Sequence, residues 1–175
     1  MLPSVDSLSA NILALTPTTD AMAGMTSFTG VLADFMANVQ AGPTGSPGIF
    51  ALAQSMVIPA LAALPPVANS SWISGFADAL EAGINAAIIT PGTASNPAWT
   101  TSGVDVATLP TGAATITTIS AAKAVLMSDL MNATAGNNPA VPFAQAISDC
   151  TLAFVFNCIG LGPGSSPIPI PLSAE

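Results

Sequence analysis

The feature that most constrains the fold is a series of apolar stripes at helical spacing, separated by segments rich in proline and glycine. In the clearest stripe, large apolar residues recur at steps of three and four: Met22, Met25, Phe28, Leu32, Phe35, Met36 and Val39. This spacing puts them on one face of an α-helix. Thr18 or Thr19 can cap its start, and Gly42 can end it. The pattern therefore predicts a helix from about Asp20 to Gln40.

The remaining stripes predict an all-α fold, a helical bundle of about five helices that occupies residues 1–162. The other predicted helices cover about 46–64, 72–89, 115–135 and 138–160, and Pro59 lies inside the first of them. Ser4 to Leu15 is a further, short helical candidate. Residues 91–112 contain repeated prolines and glycines, so we interpret them as a linker with room for a short strand.

A shift of 67 residues aligns parts of the two halves of the chain. Phe76 and Ala77 then fall on Phe143 and Ala144, and Ile49 falls on Ile116. One interpretation is a duplicated helical hairpin with repeats at 43–97 and 110–167, whose two copies pack face to face. Chance similarity between alanine-rich sequences is the other interpretation, and the sequence leaves both open.

The C-terminal segment 163–175 is predicted to be an extended arm outside the bundle. Prolines alternate with Ile168, Ile170 and Leu172, which prevents a helix and favours an extended backbone. These side chains are too apolar for a free tail. We expect the arm to bind a neighbouring subunit, or, in the alternative, to fold back on its own bundle.

The shortage of ionic side chains limits the chemistry available. Lys123 is the only basic residue, there is no histidine, arginine or tyrosine, and the formal net charge is -8. One cation cannot neutralise several phosphates, so we expect no nucleic-acid binding. Without histidine, the chain has no imidazole to bind a metal and lacks the commonest general acid-base residue. The prediction is a protein that is not an enzyme and has no cofactor.

The remaining candidates for chemistry have simpler interpretations. Asp78 and Glu81 share a helix face, but we expect them to solvate it rather than to act as a catalytic pair. Cys150 and Cys158 are both placed in the last predicted helix, roughly 12 Å apart, too far for a mutual disulfide. They are predicted to be buried free thiols, with bonds to neighbouring subunits as the alternative. The glycines match no phosphate-binding loop, and the carboxylates form no calcium loop.

A membrane role is the alternative from another class. Residues 49–68 contain no charged side chain, and 49–64 with 152–161 could form the arms of an apolar hairpin. Gln54, Pro59 and Pro65 interrupt this run, however, and flanking basic residues are missing, so membrane insertion is not expected. The first fifteen residues lack the basic segment of a signal peptide. We therefore expect synthesis in the cytoplasm.

Only 6% of residues are charged, and the chain is rich in alanine, threonine, serine and glycine. A neutral exterior of this kind favours permanent contact with other subunits. With its extended proline-rich arm, the chain resembles a structural protein of a tailed-bacteriophage virion. The resemblance implies a virion component of the tail, baseplate, neck or capsid surface, which acts through homo-oligomeric and heteromeric contacts. As interface residues we predict Trp99, Ile168, Ile170 and Leu172, because apolar anchors supply most interface energy.

Overall fold

The computed structural model describes residues 2–39, 50–65, 69–89, 93–95, 106–108, 119–133, 140–160 and 167–171. The helices in these ranges are α1 (Val5–Leu13), α2 (Ala21–Ala37), α3 (Gln54–Ala62), α4 (Ser70–Asn85), α5 (Ile119–Ala133) and α6 (Ala140–Leu152). The strands are β1 (Phe50–Ala51), β2 (Ile88–Ile89), β3 (Thr93–Ser95), β4 (Val106–Thr108), β5 (Val155–Gly160) and β6 (Pro167–Pro171). The core is an all-α bundle, as the sequence predicts, and the short candidate near the N-terminus is its first helix.

The six described helices pack as a closed ring. Each helix contacts the next one along the chain, and α1 contacts both α2 and α6. The apolar stripe of each long helix is directed into this ring, where Leu32, Leu80, Leu126 and Ile147 are almost fully buried. α1 is therefore an integral part of the bundle, because it closes the gap between α2 and α6.

Side-chain caps fix where two helices begin. The Asp20 carboxylate accepts hydrogen bonds from the backbone N–H groups of Met22 and Ala23, at 2.9 and 3.2 Å. The cap of α2 is thus Asp20, whereas the sequence pattern suggested Thr18 or Thr19; the Thr18 hydroxyl instead accepts a bond from the Asp20 N–H. Asn69 caps α4, where its side-chain oxygen accepts a hydrogen bond from the Trp72 N–H at 3.0 Å. Both caps satisfy donors that the first turn leaves unpaired.

Gly83 allows α4 to approach α3 closely. A Cβ atom at this position would lie 2.2 Å from Val57 Cγ2 and 3.1 Å from Leu52 Cδ1. The Gly83 carbonyl accepts a hydrogen bond from the Ala53 N–H at 3.2 Å, just before α3 begins. β1 also pairs with β2, which joins the start of α3 to the end of α4. These contacts make α3 and α4 one compact hairpin.

The second helices of the two proposed repeats bury matching positions. Phe76 and Phe143 contact each other edge to face, with ring centroids 5.2 Å apart. Ala77 and Ala144 are both buried, and so are Leu80 and Ile147. The helices before them do not follow the same alignment, because Val57 is buried and its counterpart Ala124 is exposed. The duplication of the sequence stays a prediction.

A four-stranded antiparallel sheet has the order β3-β4-β5-β6. This sheet accounts for most of the difference between the predicted and the observed secondary structure. The fifth predicted helix ends at Leu152 rather than near Gly160, because residues 155–160 form β5. The segment after Leu152 is rich in β-branched and aromatic residues and has a partner strand. The prediction that Cys150 and Cys158 share one helix is therefore wrong.

Part of the predicted arm, Pro167–Pro171, forms β6 at the edge of this sheet. Its backbone pairs with β5 of the same chain, with Ile168 opposite Cys158 and Ile170 opposite Phe156. Because proline has no N–H, only the two isoleucines can donate to β5. The outer edge of β6 consequently lacks the donors that another strand would need for pairing.

Candidate functional site

The predicted interface residues fall in two groups. Ile168 and Ile170 lie in the edge strand β6, and only their backbone pairing is described. Trp99 and Leu172 lie outside the described residues. The structure therefore brings the two isoleucines to one sheet edge, and contact between these four residues and another subunit stays a prediction.

Asp78 and Glu81 form an ion cluster with Lys123. The Lys123 ammonium donates hydrogen bonds to Asp78 Oδ1 at 2.5 Å and to Glu81 Oε2 at 2.7 Å. The two carboxylates lie on α4 and the ammonium lies on α5, so the cluster joins neighbouring helices of the ring. The sequence predicted that Asp78 and Glu81 share a face, but it did not predict that Lys123 is their partner.

The cluster holds Lys123 in its charged form. The hydrogen bonds from Lys123 to Asp78 and then to Glu81 raise the pKa of the ammonium above its ordinary value, against a smaller effect of burial. A cleft of about 10 Å³ lies beside the cluster, with Cys150 on its far wall. That volume holds at most about one water molecule. The arrangement can hold two helices together.

Cys150 is a free thiol in the core of the bundle. Burial, together with the negative charge of Asp129, raises its pKa to about 12. A thiol with such a pKa is protonated at neutral pH, and the thiolate is the reactive form. Cys150 therefore packs as a small apolar side chain of α6.

The described residues form an apolar hollow with a volume of about 350 Å³. Three phenylalanines from three different helices make its floor: Phe28 of α2, Phe76 of α4 and Phe143 of α6. Their ring centroids lie 5.2 to 6.1 Å apart in tilted or edge-to-face pairs. These are favourable geometries for aromatic rings, so the floor is a fixed cluster.

The walls of this apolar hollow come from four helices and the end of α3. Trp72 stacks on Phe76, with centroids 5.4 Å apart and planes inclined by 11°. The other lining residues are Ile12, Leu13, Met25, Leu61, Leu64 and Ala140. Leu13 is 60% exposed, so the hollow opens to solvent at α1. Every lining side chain is apolar except for the indole N–H of Trp72, so the hollow can bind apolar groups.

Sequence reasoning missed the apolar hollow. It placed Phe28 in the apolar stripe of a helix and predicted contacts at the irregular segments, with Trp99 among the contact residues. The correspondence of Phe76 with Phe143 in the proposed repeat was the available signal, since equivalent positions of two facing hairpins can meet. No pattern in the sequence indicates that α1 closes the ring, and α1 supplies two of the residues that line the hollow, Ile12 and Leu13.

Three general findings complete the description. None of the six described helices combines the length and the apolarity needed to cross a bilayer. α3, within the apolar run considered for a membrane arm, has nine residues and buries Val57 and Leu61 in the core. In the described ranges, acidic, cysteine and histidine side chains form no group of three or more that could hold a metal ion. Comparison with protein families, curated proteins and solved structures found no significant match.

Proposed function

We propose that the chain is a non-enzymatic structural subunit of a large protein assembly. By its composition, the assembly is best assigned to a phage virion, where the subunit would belong to the tail, baseplate, neck or capsid surface. The observation that carries this proposal is the exposure of large apolar side chains on a bundle with very few charges.

The exposed apolar side chains lie on several helices of the ring. Leu13 of α1, Met22 of α2, Met56 of α3 and Val141 of α6 are between 48% and 60% exposed. The only basic side chain, Lys123, is already bound to two carboxylates. Only 6% of the residues are charged, so most of the surface residues are neutral, and burial of these apolar side chains against another subunit is favourable.

The sheet edge suggests which surfaces make the contacts. Pairing of a neighbour's strand along the outer edge of β6 is disfavoured, because Pro167, Pro169 and Pro171 offer no N–H groups there. Assembly is therefore expected to use faces of the helices. Ile168 and Ile170 remain proposed contact residues through their side chains.

The native mass of the purified chain, measured by light scattering over a range of concentrations, tests this proposal. We expect oligomers of defined mass. A double variant, Met22→Asp and Met56→Asp, is expected to shift the protein toward monomer. The matched control, Ser27→Asp and Ser55→Asp, adds the same charge at exposed polar positions of the same two helices and is expected to keep the parent's mass.

A monomer at high concentration would overturn the proposed assembly role. Equal dissociation of the two double variants would show that added charge, rather than loss of apolar contact, separates the subunits. That result would also count against the proposed assembly role. The virion assignment is tested separately by mass spectrometry of purified phage particles from the source of the chain. It fails if the chain is absent from them.

A further inference from the structure

We propose that the apolar hollow is a binding site for a small uncharged apolar molecule, about the size of two fused aromatic rings. This inference goes beyond the proposed structural role and does not depend on it. It rests on the volume of the hollow, the chemistry of its walls and the fixed geometry of its floor.

The volume sets the size of the ligand. An apolar cavity of about 150 Å³ in another protein stays dry and binds one benzene molecule. The hollow here has a volume of about 350 Å³, somewhat more than twice as large. A two-ring aromatic molecule, or an alkyl chain of similar volume, fits this space. The binding test includes a mimic of a protein side chain, so that a small molecule and a partner side chain can be distinguished as occupants.

The walls set the chemistry of the ligand. Phe28, Phe76 and Phe143 contribute aromatic carbon to the lining, and Leu61 and Leu64 contribute aliphatic carbon. Aromatic ligands gain edge-to-face and stacked contacts at such walls. A charged group would lose its hydration with no partner in return, and Lys123 is bound elsewhere by its two carboxylates. The hollow therefore selects neutral molecules.

The floor is formed before any ligand enters. Phe28, Phe76 and Phe143 belong to different helices and hold one another in place through three ring contacts. A preformed site avoids the entropic cost of ordering side chains when the ligand binds. Leu13, at the exposed rim, leaves a path for entry.

Equilibrium dialysis of the purified chain with naphthalene tests the proposal directly. We expect saturable binding of one naphthalene per chain. Naphthalene-2-sulfonate, which has the same rings and one negative charge, is expected to bind at least about tenfold more weakly. N-acetyl-phenylalanine amide, which mimics a protein side chain, is expected to bind more weakly than naphthalene as well. Binding of that mimic as tight as that of naphthalene would identify a protein side chain as the better occupant and overturn the proposal.

A matched pair of variants locates the binding site. Ala140 lines the hollow and is buried, whereas its neighbour Val141 is 48% exposed. Ala140→Phe fills the hollow and is expected to reduce naphthalene binding at least about tenfold, whereas Val141→Phe is expected to leave it unchanged. If Ala140→Phe does not fold, as judged by circular dichroism, Ile12→Trp fills the same space from the half-buried face of α1. Absence of saturable binding to the parent, or equal binding by a folded filling variant, would overturn the proposal.

Discussion

Replacement of Gly83 by alanine tests the close contact between α3 and α4. The new Cβ would lie 2.2 Å from Val57 Cγ2, far inside ordinary contact distance. Val57 is fully buried, and its branched side chain has little rotational freedom in a helix, so it cannot turn away easily. The helix backbone would have to move, against the hydrogen bond between the Ala53 N–H and the Gly83 carbonyl.

The expected magnitude follows from two opposing effects. Insertion of a methyl group into a packed core costs about 1–3 kcal/mol. The change from glycine to alanine inside a helix returns about 0.5–1 kcal/mol. The difference between these effects is about 0–2.5 kcal/mol, so we expect Gly83→Ala to lower the free energy of unfolding by about 1 kcal/mol. Gly30 is the matched control, because no atom lies within 4 Å of a Cβ built there. Gly30→Ala is expected to raise the free energy of unfolding by about 0.5–1 kcal/mol.

Urea unfolding followed by circular dichroism measures both variants. A second substitution, Val57→Ala, removes the clashing methyl groups and sharpens the test. Alone it costs about 2 kcal/mol, from two buried methyl groups and the cavity that they leave. The double variant Gly83→Ala and Val57→Ala should lose less stability than the sum of the two single losses, by about 1 kcal/mol or more. Strictly additive losses, or a Gly83→Ala protein as stable as Gly30→Ala, would refute the proposed contact.

Three further predictions concern single polar groups. Among the described residues, the buried Thr29 hydroxyl has no hydrogen-bond partner, so Thr29→Val should raise the free energy of unfolding by about 1 kcal/mol. Thr151→Val, which removes the bond to the Ile147 carbonyl, should lower it. Urea titration that ranks the two variants in the opposite order contradicts this. Lys123→Gln should cost about 1 kcal/mol at neutral pH. The folded protein raises the pKa of Lys123, so the stability that the parent has over Lys123→Gln should be fully present below the ordinary pKa of lysine. It should be lost as the pH rises through the raised pKa. A stability difference that persists at higher pH argues against an ionic origin. In a Cys158→Ser variant, Cys150 is the only cysteine, and it should resist iodoacetamide at pH values well below about 12 until the protein unfolds. Labelling is measured by mass spectrometry. Rapid labelling of the native protein would show that the thiol is accessible.

Local sequence patterns were sufficient to predict a helix where it has both a clear apolar stripe and a clear end. The stripe of α2 predicted three of its buried residues, Leu32, Phe35 and Met36, because the same spacing creates the helix face and the core contact. It was wrong at Met22, which lies near the start of the helix and is 49% exposed, and it did not include the buried Thr29. Its cap was misplaced by one or two residues, since Thr18, Thr19 and Asp20 all have suitable oxygen acceptors. The choice among them depends on the backbone conformation at the turn.

The stretch that follows α6 could not be decided locally. Residues 155–160 continue an apolar run and were assigned to a helix, yet they pair with β4 on one side and β6 on the other. β4 lies about fifty residues earlier in the chain, and a pattern read within one segment contains no information about so distant a partner. The ion cluster was missed for the same reason, because Lys123 and Asp78 are far apart in sequence.

By itself the sequence determined that the core is made of helices, because apolar spacing and helix-ending residues act within a few turns of the chain. It also fixed the scarcity of charge on which the proposed assembly role rests. Only the tertiary structure decided that α1 closes the ring, that Lys123 joins α4 to α5, and that three phenylalanines from separate helices form the floor of an apolar hollow. These features depend on which segments meet in space, and that is settled by the packing of the whole core.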